Sequence, residues 1–348
     1  MRFHKFFSRF LGSLVSGITA LLLALLLLGV AGCSSQSTSS YGKEIGGFLG
    51  GDQGVVINVI DGAPPSVIQD ASLTPFSFVI TLENVGEAKI GKDTQNPFVM
   101  ARIMGINPRD FGLTEDTAIK KLGESLESAK KNIDGSITPG EITYLSFEDL
   151  AYKNNIDTSA AVTFRAEVCY DYESYASAKF CMKNDFVESA EDSTICMLRG
   201  PRPYGNSGAP LHVTEVYQAP VNQDTIQLNF NIEHFGNGIY FYRNTPKDNY
   251  DSCVFSDMDP NIYKLELIVE PVQKDTYEIN CMRLDEKVAG GGAKGIVRSS
   301  MNAPIAVSCF IKRTKPTEVR VYEDLVKITL RYRYGEFLEV PVLIQGHP

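Results

Sequence analysis

Tryptophan is missing from the 348 residues, and histidine occurs only at His4, His212, His234 and His347, too scattered to suggest a zinc site. No Cys-x-x-Cys pair occurs, which removes the commonest thiolate signature for such a site. No Asn stands in an Asn-x-Ser/Thr sequon, so standard N-glycosylation is not indicated. Positive charge is also short: 33 Lys and Arg against 42 Asp and Glu give a net charge of -9 and a pI near 5.1. Nucleic acid is therefore excluded as a partner, because phosphate binding needs clustered cations. Neither a Gly-x-Ser-x-Gly elbow, a Gly-x-x-x-x-Gly-Lys-Ser/Thr loop nor a His-Glu-x-x-His pair appears, and the chain reads as a non-enzyme.

What is present begins with an anchor. Arg2, Lys5 and Arg9 precede an apolar run from Phe10 to Ala31. Positive charge stays cytoplasmic, so the rest of the chain is delivered outside. Val30-Ala31-Gly32-Cys33 resembles the lipobox of lipoprotein signal peptides, which implies lipid attachment at Cys33. The run also has the ~20 residues of a spanning helix, so an uncleaved transmembrane segment is the alternative. Residues 34–54, rich in Ser and then Gly, read as a flexible spacer.

From Val55 onward, short alternating apolar runs are punctuated by Gly, Pro, Asn and Asp, the pattern of an all-β fold. One segment departs from it. Thr114 to Lys131 places Ala118, Ile119, Leu122, Leu126 and Ala129 at helical spacing behind a capping Thr114, and predicts one short helix in the first domain. The chain also repeats itself: Phe78–Gly86 aligns with Leu228–Gly236, and Val168-Cys169-Tyr170-Asp171-Tyr172 with Leu330-Arg331-Tyr332-Arg333-Tyr334. The expected layout is two tandem immunoglobulin-like β-sandwiches, 55–185 and 209–346, joined by a polar linker, 186–208. Gly290-Gly291-Gly292 reads as a mobile loop in the second.

Asn84-Val85-Gly86 after an early strand, with Thr138-Pro139-Gly140-Glu141 before a later one, resembles the CARDB type of immunoglobulin-like domain. The whole layout is also similar to uncharacterised archaeal surface proteins. The resemblance is best over 55–185, since His234-Phe235-Gly236 stands in the second half where the first has Asn-x-Gly. It implies adhesion or scaffolding.

Six cysteines beyond Cys33 make an even set, which in an exported chain suggests disulfides. A hairpin turning at Tyr175 would set Cys169 against Cys181; Cys281 and Cys309 pair across the second core, leaving Cys196 with Cys253. Other pairings stay open. Asp251, Asp257, Asp259 and Asn261 could hold Ca²⁺ through oxygen ligands, although a solvated acidic loop explains them too. Tyr240, Tyr242, Tyr250 and Tyr263, with Tyr170, Tyr172 and Tyr175, could form an aromatic binding ledge, although Tyr is also an ordinary strand residue. The resulting expectation is a membrane-anchored extracytoplasmic structural or adhesive protein, contacting envelope or surface-assembly proteins or itself. The alternative is a lipoprotein that captures a glycan, peptide or metal ion.

Overall fold

Two strands of 25 residues each organise the molecule, Ser159–Lys183 and Val321–Gln345. The computed structural model describes residues 47–184, 195–242, 260–315 and 320–347. In chain order, the principal strands are β1 (Val56–Val59), β2 (Phe76–Glu83), β3 (Val99–Met104), β4 (Ile119–Lys121), β5 (Ile142–Leu150), β6 (Ser159–Lys183), β7 (Leu211–Asn222), β8 (Thr225–His234), β9 (Lys264–Pro271), β10 (Tyr277–Cys281), β11 (Gly292–Arg298), β12 (Ile305–Arg313) and β13 (Val321–Gln345). The fold is all-β with antiparallel sheets in a general sandwich arrangement. The 3₁₀ turn Pro108–Phe111 is the one helical element among the described residues.

β6 and β13 pair along their entire length, from Ser159 opposite Gln345 to Lys183 opposite Val321. A strand of 25 residues spans roughly 80 Å at the usual rise. The reason β6 does not bend is in its sequence: residues 159–183 contain no Gly, Pro or Asn to supply a turn. The alternation also keeps one phase throughout. Phe164, Ala166, Val168, Tyr170, Tyr172, Ala176, Ala178, Phe180 and Met182 share one face and are all buried. The expected hairpin at Tyr175 is replaced by a continuous strand, because pairing with β13 runs unbroken through Tyr175, which lies opposite Thr329.

Around this ribbon the large sheet reads the same from both sides. Its order is Glu286–Val288, β11, β9, β13, β6, β3, β4, so β9 flanks β13 as β3 flanks β6. Two smaller sheets cover the inner face, β1-β2-β5 for the first lobe and β7-β8-β12-β10 for the second. The repeat seen in the sequence is thus the pair of lobes, with β2 equivalent to β8. Yet the lobes are not strung in series, because each long strand serves both. Phe164 of β6 lies 5.7 Å from Phe78 in the first lobe, while Phe180 of the same strand lies 5.1 Å from Tyr277 in the second. Burying one such ring is worth about 1.5–3 kcal/mol, so β6 contributes to two cores at once.

Two further expectations are corrected. Thr114 to Lys131 is not a helix: Thr114 caps a single turn, its Oγ1 accepting from Thr117 N and its carbonyl from Ala118 N, and the chain then extends into β4. Pairing of β4 with β3 takes the backbone hydrogen bonds a helix would have used. Ala118, Leu122, Leu126 and Ala129 are buried as predicted for an apolar face, but by a chain that dips inward at intervals. The Gly290–Gly292 segment is the tight turn of a hairpin, with Val288 paired to Gly292. Within the expected spacer, Gly50, Gly51 and Gly54 are docked: Gly54 O accepts from Gly86 N, and Gly51 O accepts from Ala209 N.

Candidate functional site

The midpoint of the ribbon carries charge on one face and tyrosines on the other. Inside, Tyr170, Tyr172, Tyr332 and Tyr334 form a buried quartet with ring centroids 5.7–6.3 Å apart. Each hydroxyl has a partner, as buried Tyr requires. Tyr172 donates to Gly208 O at 3.2 Å, Tyr334 accepts from Gly238 N at 2.7 Å, and Tyr332 bonds the Ser174 hydroxyl at 2.6 Å. Tyr170 accepts from Val55 N at 3.4 Å. The turns after β2 and β8 exist to admit these hydroxyls. A Cβ on Gly86 would lie 1.9 Å from the Tyr172 oxygen, and one on Gly236 would lie 2.1 Å from that of Tyr334. The Asn84 turn also packs on the Pro139-Gly140 turn, Asn84 N donating to Glu141 O at 3.0 Å, which explains why the two motifs occur together.

Outside, Asp171 and Arg333 pair at 2.9 Å while both are nearly inaccessible, and Arg333 also lies 3.7 Å from the Phe98 ring. Beside them opens a cleft of about 440 Å³ between the ribbon, β9 and the Lys89–Asn96 loop. Its floor is Glu173, which accepts from Arg331 Nε and from the Tyr175 hydroxyl, each at 2.5 Å. Arg331 extends to Glu266 at 3.4 Å and Gln95 at 3.0 Å. Burial, together with the hydrogen bond to Glu173, pushes the Tyr175 hydroxyl well up and keeps it neutral. Lys327 stands over the Tyr175 ring at 5.5 Å. Such a floor holds fixed donors and acceptors and can orient a small polar ligand.

Of the tyrosines read as a ledge, Tyr175 is half-buried and lines this cleft, whereas Tyr170 and Tyr172 are core. Tyr240 is core as well, 2% exposed, with its hydroxyl pushed up to about 12 by burial. It packs edge-on against Tyr263 and Tyr332, so it cannot present a face to a ligand. Tyr242 is half-buried and its N–H donates to Asn261 O. Tyr250, Asp251, Asp257, Asp259, Cys253 and the anchor with Cys33 lie outside the described residues. Among the described residues there is no metal-type cluster of His, Cys, Asp or Glu, and no helix long and apolar enough to cross a membrane.

The cysteines join differently from the expectation. Cys281 and Cys309 are bonded, directly opposite each other on β10 and β12. Cys181, however, is bonded to Cys196, with Cα atoms 5.9 Å apart. Cys169 cannot reach Cys181, because both lie on one unbroken strand roughly 40 Å apart. That bridge equally excludes Cys196–Cys253. Cys169 is itself disulfide-bonded. Stable disulfides form in oxidising compartments, so the folded body is extracytoplasmic.

Sequence reasoning missed Glu173, Arg331 and Lys327. The signal was present as charge alternation, Asp171 and Glu173 facing Arg333 and Arg331, on strands whose other face is apolar.

No family model matches the chain, and no curated protein matches it. Among solved structures, envelope protein VP37 from White Spot Syndrome Virus is 8% identical, covering 48% of this chain and 98% of its own, with a TM-score of 0.20. A serine-rich repeat adhesion glycoprotein, Srr1, from Streptococcus agalactiae is also 8% identical, covering 87% and 99%, with a TM-score of 0.16. Likenesses this low carry no argument about fold or function.

Proposed function

We propose that the protein is anchored at a membrane through residues 1–33, by lipid on Cys33 or by a spanning helix, and acts outside the cell as a non-enzymatic structural or adhesive component. It works by protein–protein contacts with envelope or surface-assembly proteins, or with itself. The supporting observation is β5, an edge strand whose outward side chains Ile142 and Tyr144 are 53% and 59% exposed. Edge strands with apolar outward residues are templates for pairing with another chain. The ribbon supports the mechanical side of this reading, since load applied to one lobe passes into the other along continuous strands. The CARDB resemblance is part of the proposal, supported by the docking of the Asn84 and Gly140 turns.

Crosslinking in native membranes, read by mass spectrometry, tests the reading. Links from the 137–150 region to one or two envelope proteins, or to a second copy, are expected; a clean monomer would overturn it. The charged cleft at Glu173 favours the second reading, capture of a small polar ligand. Calcium capture by Asp251, Asp257 and Asp259 would show as a melting temperature that rises with calcium.

A further inference from the structure

The second lobe carries a groove on the side of the molecule away from the ribbon, about 420 Å³ in volume, running across β7, β8 and β12 to the turn after β10. Its floor is the outward side of β8 and β12, where Gln227, Asn229 and Asn231 succeed one another at strand spacing beside Ser308 and the exposed Ala306. These side chains are already ordered. Gln227 Nε2 donates to Asn229 Oδ1 at 3.1 Å and to Ser308 Oγ at 2.8 Å, and Asn231 Nδ2 donates to Glu215 Oε2 at 2.7 Å. By donor and acceptor count these bonds leave a mixed set to spare: the Asn229 amide N–H and Ser308 O–H as donors, the Asn231 carbonyl and second Glu215 oxygen as acceptors.

The two ends of the groove are held in costly backbone. Glu215 has φ 52° and sits in a β-bulge between Thr214 and Tyr217; Arg283 has φ 69° in the turn after β10. Neither residue is a glycine, and left-handed backbone at such positions concentrates at ligand clamps. Arg283 is exposed, and among the described residues its side chain has no partner. Met282 beside it is 62% exposed and supplies an apolar flank.

We infer that this groove binds a saccharide bearing a carboxylate. Hydroxyl groups both donate and accept, which suits the alternating amides and Ser308, while the carboxylate pairs with Arg283 in a charge-assisted, two-pronged contact. A peptide strand would need a free sheet edge, and β8 and β12 are both interior strands. A polyanion would be repelled by Glu215. The inference goes beyond the protein-contact reading, which uses β5 in the other lobe.

The test uses the full chain in detergent or nanodiscs. Titration with sialyllactose, against lactose as its neutral counterpart, should show binding with preference for the acidic sugar. Arg283→Gln should weaken the acidic sugar by about tenfold or more and leave the neutral one unchanged. Asn229→Ala with Asn231→Ala should weaken both, without moving the melting temperature. Absence of binding at millimolar sugar, or an acid preference that survives Arg283→Gln, would overturn the inference.

Discussion

Asp171 and Arg333 face each other across the ribbon at 2.9 Å, and the internal repeat that carries Tyr170 onto Tyr332 and Tyr172 onto Tyr334 carries this pair onto itself. The pair therefore marks the centre about which the two lobes exchange strands. Because both groups are buried, removing one deprives the other of its ion-pair partner at low dielectric. Arg333→Leu or Asp171→Leu should each cost about 3 kcal/mol or more in denaturant unfolding. The double replacement should recover part of that loss, and failure to do so would show that the pair is not coupled.

Each lobe's turn glycine is expected to be intolerant of a methyl group. Gly86→Ala and Gly236→Ala should each cost about 1–3 kcal/mol, through the Tyr172 and Tyr334 hydroxyls respectively. Tyr334→Phe should partly rescue Gly236→Ala in thermal unfolding, since it removes the atom that the new Cβ would meet.

Non-reducing peptide mapping should recover Cys181 joined to Cys196 and Cys281 joined to Cys309. With Cys33 assigned to the anchor, the count leaves Cys253 for Cys169. Losing the Cys181 bridge, which closes a loop of 15 residues, should cost about 3 kcal/mol. A Cys169–Cys181 peptide would contradict the continuous strand.

Glu336 gives the protein a pH dependence. Burial beside Tyr170 and Tyr334 raises its carboxyl to about 7, above the ordinary carboxylate value. In the unfolded chain it ionises near pH 4.3, so between there and about 7 the unfolded state releases a proton that the folded state keeps. Stability attributable to this group falls as pH rises through that window, and the loss is complete above it. Glu336→Gln should flatten this part of the stability profile and raise stability at pH 8 by about 2 kcal/mol. An unchanged profile would place the group in water.

Much of this fold is legible because half-buried strands alternate. The phase of Phe76–Glu83 and Thr225–His234 locates β2 and β8 and their repeat almost to the residue. The ribbon is illegible for the same reason. A residue on a half-buried strand reports which face it takes, not how far the strand continues, and Tyr172 followed by Glu173-Ser174 resembles an approach to a turn. The apolar spacing of Ala118, Leu122 and Leu126 is ambiguous because a winding chain can bury every fourth residue as a helix does. Short strands such as Val67–Gln69 owe their existence to β13, which lies far away in sequence. The cleft at Glu173 is assembled from four separate segments, and only Tyr175 among its residues had an aromatic to draw attention to it.

Strand exchange between the lobes is most directly tested with the chain cut after residue 185. In the intact protein the first lobe takes 335–345 of β13 as the neighbour of its half of β6. A fragment of residues 47–185 should therefore give a collapsed, poorly dispersed ¹H–¹⁵N spectrum that becomes dispersed when a peptide of residues 320–347 is added. A well-dispersed spectrum from the fragment alone would contradict strand exchange and restore two independent domains in series.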